Sequence, residues 1–308
     1  MADSDEEMNQ LTSRSRGLDV VWTRGKGCSE LAVLLGGDGA GRIKGNLEEA
    51  CIDTRADLLV SRRMPGNFDL VSVAVPVDFQ PEKVTSVAAA VGGGPHSLLA
   101  AETAESIGSA LGVPFEMVSA AGPEDDPGEA GVLLDQLQAE VPEIRSRVVE
   151  VDGVTELAES LDDGALLVLG APGGTWLQRN MFGPGARLRR TANAGAVVVR
   201  SAPDRVFRFM GDPVYVAPLR QADDTLRIHK EATLAVADEG ILVGLVRRQR
   251  LTEAGSHPVG SVMEEAISVR VDETLAEAKE LTPTFGEDPI PVTDHDEHLV
   301  GGLSLPVG

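Results

Sequence analysis

Residues 84–112, VTSVAAAVGGGPHSLLAAETAESIGSALG, decide the fold class of this chain. The first eight are mostly Val and Ala, a composition that predicts a fully buried strand. GGGP at 92–95 interrupts that run, and the apolar residues that follow recur with the period of an amphipathic helix: Ala100, Ala104, Ile107 and Leu111. Gly112 predicts the helix end, because glycine readily adopts the left-handed conformation found there. The stretch therefore predicts a strand, a glycine-rich turn and a helix.

The same alternation continues to residue 200. Further strands are predicted at 114–120, 147–151, 165–170 and 194–200, with helices over 130–141, 154–161 and 184–194 between them. Such a β-α alternation predicts an α/β fold with a doubly wound, five-stranded parallel sheet. Ligands of these sheets bind beyond the carboxyl ends of the strands, where the strand order reverses. Both glycine-rich breaks, 92–94 and 170–174, follow strand ends, so we expect them to face one crevice.

The glycines after the fourth strand have a defined spacing. Gly170 and Gly173 are followed, after nine intervening residues, by Gly183 at the start of a predicted helix. With five strands in this order, residues 84–201 resemble the universal stress protein family, whose nucleotide-binding members carry Gly-x-x-Gly, nine residues and Gly-Ser/Thr here. The resemblance implies that ATP or AMP is bound by these residues: Gly92, Gly93, Gly94, Gly170, Gly173, Gly183 and Gly185.

This segment departs from the family pattern in two places. The first strand of the family typically ends in Val-Asp-Gly-Ser, whereas Val91 is followed here by three glycines, and Pro184 replaces the hydroxyl residue. Backbone N–H groups still provide a phosphate cradle, while contacts that select the nucleotide are lost. The alternative is that the glycines only permit tight turns.

Arg187 and Arg190 share one helix face and could bind a phosphate or an acidic partner. The alternative is a solvated helix face on which they pair with local acidic side chains.

Residues 205–308 contain one unit twice, over 205–255 and 256–308. Each copy has a Met near its start, a strand, an acidic residue before Thr-Leu, a helix and a Leu-Val-Gly strand. The two copies resemble a tandem pair of CBS domains, named after cystathionine β-synthase, an α+β fold whose cleft commonly binds adenosine-containing ligands.

Two positions after the glycine strand define ligand-binding CBS copies: a Thr or Ser and, three residues later, an Asp that holds the ribose. The first copy has Arg247 and Arg250 there, and the second has Ser304 and Val307. An unpaired ribose hydroxyl costs about 1–3 kcal/mol, which argues against adenosyl binding in this cleft. The arginines could instead contact phosphates or an acidic surface, with a solvated strand end as the alternative.

The charge excludes some partners. The chain has 308 residues and a formal net charge of −22, from 49 Asp+Glu against 27 Lys+Arg. Phosphates would be repelled over most of this surface, so non-specific nucleic-acid binding is not expected. An acidic, arginine-preferring chain suits a cytoplasm of very high salt, where self-repulsion is screened. We therefore interpret it as a halophile's protein, of haloarchaeal type, with an ordinary acidic protein as the alternative.

The first 80 residues are the least clear. Residues 1–16 are predicted to be a disordered acidic tail, and 17–80 an α/β segment of uncertain fold. Strands are predicted at LDVVWT, ELAVLLG, ADLLVS and DLVSVAVPV, with a short helix at NLEEACIDT begun by Asn46. The glycine-rich stretch 36–45 is predicted to be a flexible loop; the alternative is a phosphate cradle, although the stretch lacks P-loop spacing and does not lead cleanly from a strand to a helix. This segment could add strands to the sheet or mimic half of a second stress-type domain.

Other features point away from catalysis and membranes. Two cysteines indicate neither a disulfide framework nor a zinc site, and no apolar run is long enough for membrane insertion. DHDEH at 294–298 is predicted to be a tight turn, not a metal site. We therefore expect a cytoplasmic, non-catalytic regulatory protein, a homodimer formed through the last strand of the sheet and by CBS pairing. It would sense an adenine nucleotide and signal to an unidentified macromolecule by domain rearrangement. One alternative is a ligand-free interaction protein that docks on a transporter, an enzyme or a ribosome; slow ATP hydrolysis ranks last, because no general base is evident.

Overall fold

The described chain forms two compact units that divide between Ala202 and Pro203. The protein is represented by a computed structural model, which describes residues 18–121, 127–151, 156, 159–171 and 194–305. Among these residues, no helix is long and apolar enough to cross a membrane.

The first unit is built on a nine-stranded sheet. Its strands are β1 (Val20–Trp22), β2 (Gly41–Arg42), β3 (Leu58–Val60), β4 (Ser72–Val77), β5 (Ser86–Ala90), β6 (Phe115–Ala121), β7 (Arg145–Glu150), β8 (Ala165–Gly170) and β9 (Ala196–Arg200). Its described helices are α1 (Cys28–Gly36), α2 (Leu47–Asp53), α3 (Ser97–Leu111) and α4 (Pro127–Glu140). The order is β2-β1-β3-β4-β9-β8-β5-β6-β7.

The predicted doubly wound sheet is confirmed in β5 to β9. All neighbouring pairs among these strands are parallel. The helix after β5 ends at Gly112, whose φ of 67° lets its N–H bond the carbonyls of Gly108 and Ser109. Half of the helix predicted at 154–161, and all but the last residue of the helix predicted at 184–194, lie outside the described residues.

Residues 18–80 extend this same sheet. Strands β2, β1, β3 and β4 are parallel to one another. Strand β4 pairs with β9 antiparallel, from Val73 opposite Arg200 to Val77 opposite Ala196, so the two halves of the sheet run in opposite directions. The edge of β9 through which we expected a dimer to form is therefore covered by β4 of the same chain.

Two sequence predictions for residues 18–80 were wrong, whereas the strands predicted at LDVVWT, ADLLVS and DLVSVAVPV are confirmed as β1, β3 and β4. ELAVLLG lies within helix α1: Leu31, Ala32 and Leu35 are buried while Val33 is 53% exposed, a helical and not an alternating pattern. The predicted loop 36–45 contains the short strand β2. Helix α2 begins after Asn46 as predicted, because the Asn46 side chain accepts a hydrogen bond from the backbone N–H of Glu48 at 3.1 Å.

The second unit contains the same small sheet twice. Strands β10 (Tyr215–Val216), β11 (Thr233–Asp238) and β12 (Ile241–Arg247) form one sheet, and β13 (Val269–Arg270), β14 (Ile290–Thr293) and β15 (Leu299–Leu303) form the other. Its helices are α5 (Val206–Phe209), α6 (Ala222–Ile228), α7 (Arg248–Ala254), α8 (Leu275–Lys279) and α9 (Thr282–Phe285). In each sheet the first pair is parallel and the second antiparallel, which confirms the internal repeat.

The two copies pair with each other through residues near their starts. The N–H of Gly211, in the first copy, donates to the carbonyl of Gly302 in β15 at 2.8 Å. The N–H of Glu264, in the second copy, donates to the carbonyl of Leu245 in β12 at 2.7 Å. Each copy therefore completes the sheet edge of the other, and the side chain of Glu264 is brought to the end of β12.

Candidate functional site

The structure brings two of the predicted glycine groups together. Strands β5 and β8 are neighbours, with Ala90 opposite Leu169, so the turn at 92–94 and Gly170 lie at adjacent carboxyl ends. Gly92 and Gly93 are exposed. The strand order reverses here, because the chain leaves β5 toward β6 on one side and returns to β8 on the other. Gly173, Gly183, Gly185, Arg187 and Arg190 lie outside the described residues.

The side chain of His96 occupies part of this crevice. A Cβ placed on Gly170 would lie only 3.0 Å from the Cβ of His96, so Gly170 is what lets the histidine pack against β8. The backbone N–H of Ser201, just after β9, lies 3.1 Å from His96 Nδ1. The Ser201 hydroxyl is 2.8 Å from both Nδ1 and the Pro95 carbonyl. The imidazole therefore covers the ends of β8 and β9 and leaves the glycine turn exposed.

His96 is neutral in this arrangement. Burial lowers its pKa, and the nearby Arg200 guanidinium lowers it further. An Nδ1 atom that accepts the Ser201 N–H bond carries no proton, so the ring proton is on Nε2. The crevice thus offers backbone groups and a neutral ring at this end.

A charged cluster joins the two copies of the second unit. Glu264 lies between two arginines: its Oε2 is 3.3 Å from Arg247 Nε, and its Oε1 is 3.6 Å from Arg250 Nε. The side chains are 55% exposed for Arg247, 59% for Arg250 and 38% for Glu264. Both sequence-predicted arginines are therefore together at one site, but each faces an oxygen of the same carboxylate. We call these three residues the Arg-Glu-Arg cluster.

Among the described residues, the equivalent place in the other copy has no such cluster. Ser304 is exposed and directly follows β15, as Arg247 ends β12. Gly211 stands where the first copy receives Glu264, because each pairs with the last strand of the opposite copy. Val307 lies outside the described residues. The two copies share a backbone but present different chemistry.

The acidic turn at 294–298 is a tight turn, as predicted. Asp294 accepts hydrogen bonds from the N–H groups of Asp296 and His298, each at 2.9 Å. Burial alone would raise the pKa of Asp294, but these bonds outweigh it and the pKa is lowered. Within the described ranges, no group of three acidic, His or Cys side chains is arranged to hold a metal ion.

Sequence reasoning missed a concentration of cations in the first unit. Exposed basic side chains lie at or just beyond the carboxyl ends of β1, β2 and β3: Arg24, Lys26, Arg42, Lys44, Arg62 and Arg63. We call these six residues the basic edge. The signal was present in the sequence, since each short basic segment follows a predicted strand or ends the glycine-rich stretch 36–45. It was hidden because the order of the strands in residues 18–80 was unknown.

Known protein structures resemble only about a third of this chain. No model of a known protein family matches the chain, and no curated protein is similar to it. Similar solved structures include CBSX2 in complex with AMP, which is 27% identical over 33% of this chain and 90% of that chain, with a TM-score of 0.29. The CBS-pair protein CBSX2 from Arabidopsis thaliana is 25% identical over 33% of this chain and 89% of that chain, with a TM-score of 0.31.

The cytosolic domain of the Mg²⁺ channel MgtE in complex with ATP is also similar. It is 24% identical over 33% of this chain, with a TM-score of 0.30. This chain covers 46% of that chain, so less than half of the MgtE structure is matched. The internal repeat of the second unit, and not these likenesses, is our reason for treating it as two related copies.

Proposed function

We propose that this protein is a non-catalytic, cytoplasmic regulatory protein that senses an adenine nucleotide. In this proposal the first unit is of the universal stress type and the second is a CBS pair. The observation that carries it is the Arg-Glu-Arg cluster, in which two exposed arginines of one copy share a single carboxylate of the other.

The cluster provides a phosphate site with a built-in competitor. Two guanidinium groups and one carboxylate leave a local charge of about +1, and guanidinium forks match phosphate oxygens. A phosphate dianion would displace Glu264 from Arg247 and Arg250. The backbone of Glu264 pairs with Leu245 of the other copy. Displacing the Glu264 side chain would therefore alter the contact between the copies. A ligand with different affinities for the two arrangements shifts their populations, which is what a sensor needs.

The phosphate would dominate recognition. No carboxylate follows β12 at the place where ligand-binding CBS copies hold the ribose, since Arg250 stands there. We therefore expect AMP to bind far more tightly than adenosine. The exposed turn at Gly92–Gly94 offers backbone N–H groups as a second phosphate position, on the side of the crevice that His96 leaves open.

The first experiment is to denature the purified full-length protein and measure the released nucleotide. Adenine nucleotide near one per chain supports the sensor. Calorimetric titration with AMP and with adenosine follows, on the wild type, on Arg250→Gln and on the matched control Arg220→Gln. Loss of a charge-assisted hydrogen bond predicts about tenfold weaker AMP binding for Arg250→Gln only. Equal affinity for AMP and adenosine would refute the phosphate site.

One observation favours a second candidate, a ligand-free interaction protein. Glu264 already faces both arginines, so the cluster is partly neutralised without any ligand. Absence of released nucleotide, no AMP binding and a co-purifying macromolecule would support that candidate.

A homodimer through the second unit and a halophilic origin belong to the main proposal. Light scattering on the eluted protein tests the first of these.

A further inference from the structure

The basic edge is a consequence of the strand register. Trp22 of β1 lies level with Arg42 of β2 and with Val60 of β3. In parallel strands the residues that follow leave the sheet at the same edge. Two positions beyond this level are Arg24, Lys44 and Arg62. Three separate segments of the chain thus deliver cations to one edge about 10 Å wide, the span of three strands.

The described residues provide no carboxylate partner for these cations. All six side chains of the basic edge belong to exposed residues. Within the described part of the chain, none of them forms an ion pair with a carboxylate. The guanidinium of Arg42 lies 5.7 Å from the centre of the Trp22 ring. In a chain of net charge −22, six unpaired cations at one edge are a strong local exception.

The ends of β1 and β3 meet at this edge. The Thr23 hydroxyl donates to the Ser61 hydroxyl at 3.4 Å. A Cβ on Gly25 would lie 2.9 Å from the Cβ of Arg62, so only a glycine allows the two loops to approach this closely. From β1 the chain continues to β2, on one side of β1, and then to β3, on its other side. The strand order therefore reverses here, as it also does at β5. This reversal point faces the opposite way from the one at β5, because β4 and β9 are antiparallel.

We propose that the basic edge binds a small ligand carrying several phosphate groups, an oligophosphate. Several guanidinium and ammonium groups on adjacent strand ends match a compact, highly charged anion, and the hydroxyls of Thr23 and Ser61 add donors. A long polyanion such as RNA would extend beyond this edge along a chain of net charge −22 and be repelled. A nucleoside triphosphate and an inorganic polyphosphate share the required chemistry. This site is separate from the Arg-Glu-Arg cluster and does not depend on it.

The test uses the full-length protein and inorganic tripolyphosphate as the probe. Calorimetry in 0.1 M KCl compares the wild type with the triple variant Arg24→Gln/Lys44→Gln/Arg62→Gln. The control Arg220→Gln/Lys230→Gln/Lys279→Gln removes the same charge from exposed positions of the second unit. We expect the first variant to bind at least tenfold more weakly and the control to change less than twofold. Circular dichroism confirms that both variants are folded.

The outcomes are separable. Equal weakening by both variants would show a net-charge effect and overturn the site, as would unchanged binding in the first variant or no binding by the wild type at millimolar probe. An RNA oligonucleotide that binds more tightly than tripolyphosphate, with the same loss in the first variant, would replace the small ligand and overturn the proposal. ATP as a second probe identifies the source: tighter binding than tripolyphosphate supports a nucleotide, and equal binding supports the phosphate chain alone. AMP binding at the Arg-Glu-Arg cluster, measured in the same variants, reports separately on the proposed function.

Discussion

Replacing Glu264 by glutamine tests whether the Arg-Glu-Arg cluster is a phosphate site held closed by its own carboxylate. The Glu264→Gln change keeps the side-chain shape and removes one negative charge 3.3 Å from Arg247 Nε and 3.6 Å from Arg250 Nε. We expect AMP to bind more tightly, because the ligand no longer has to displace a competing anion.

The size of the effect follows from Coulomb's law. A phosphate dianion roughly 5 Å from the Glu264 carboxylate is repelled by about 1.7 kcal/mol at the dielectric constant of water. Water is the right medium, because the Glu264 side chain is 38% exposed. Screening at physiological ionic strength lowers the repulsion to about 1 kcal/mol. That corresponds to an approximately fivefold lower Kd for AMP.

The assay is calorimetric titration of full-length protein with AMP at pH 7.5, where its phosphate is close to a dianion. Glu265→Gln is the matched control, since it removes the same charge one residue further along the chain. The reasoning is refuted if both variants tighten binding equally, which would indicate net charge alone. It is also refuted if Glu264→Gln leaves the Kd unchanged. Repeating the titration at 1 M KCl should reduce the difference to less than about twofold, because the Debye length there is about 3 Å.

Three further results are expected. Folding lowers the pKa of His96, so the unfolded state binds more protons below about pH 6.5 and the free energy of unfolding should fall as the pH drops from there. Urea unfolding at pH 7.5 and 5.5 should show a larger loss of stability at the lower pH for the wild type than for His96→Gln. Equal losses would contradict a neutral His96 in the folded state. Gly244→Ala should destabilise the protein by about 1–3 kcal/mol, since the new Cβ would lie 2.7 Å from the Glu264 carbonyl oxygen. Thermal unfolding should show a lowered Tm for this variant, whereas Gly131→Ala, whose new Cβ has no atom within 4 Å, should not lower the Tm. Raising KCl from 0.1 to 2 M should increase the Tm, because the salt screens the repulsion among acidic side chains of a chain whose net charge is −22. A falling Tm would rule out the halophile interpretation.

The strands of the first unit differ in how well the sequence predicted them. Strand β8 lies at Ala165–Gly170 as predicted, because a short apolar run between breaks has few alternatives. Helix α1 was predicted to be a strand, since an unbroken apolar run fits either structure until its buried face is known. The pairing of β4 with β9 joins residues 119 to 127 positions apart, and no local pattern could indicate it.

The candidate sites show the same division. The sequence placed Arg247 and Arg250 after a strand, but Glu264 joins them only because the two copies interlock. The basic edge needed the order β2-β1-β3 before its three segments became one surface.

From the sequence alone came the α/β class of residues 84–200, the internal repeat and the glycine turns at strand ends, since these depend on residue periods and on the backbone freedom of glycine. The tertiary structure decided which charges meet: Glu264 with two arginines, His96 with Gly170 and Ser201, and six cations on one edge. Electrostatic and packing contacts act through distances of a few ångströms, and in a folded chain those distances are set by strand order and not by separation along the sequence.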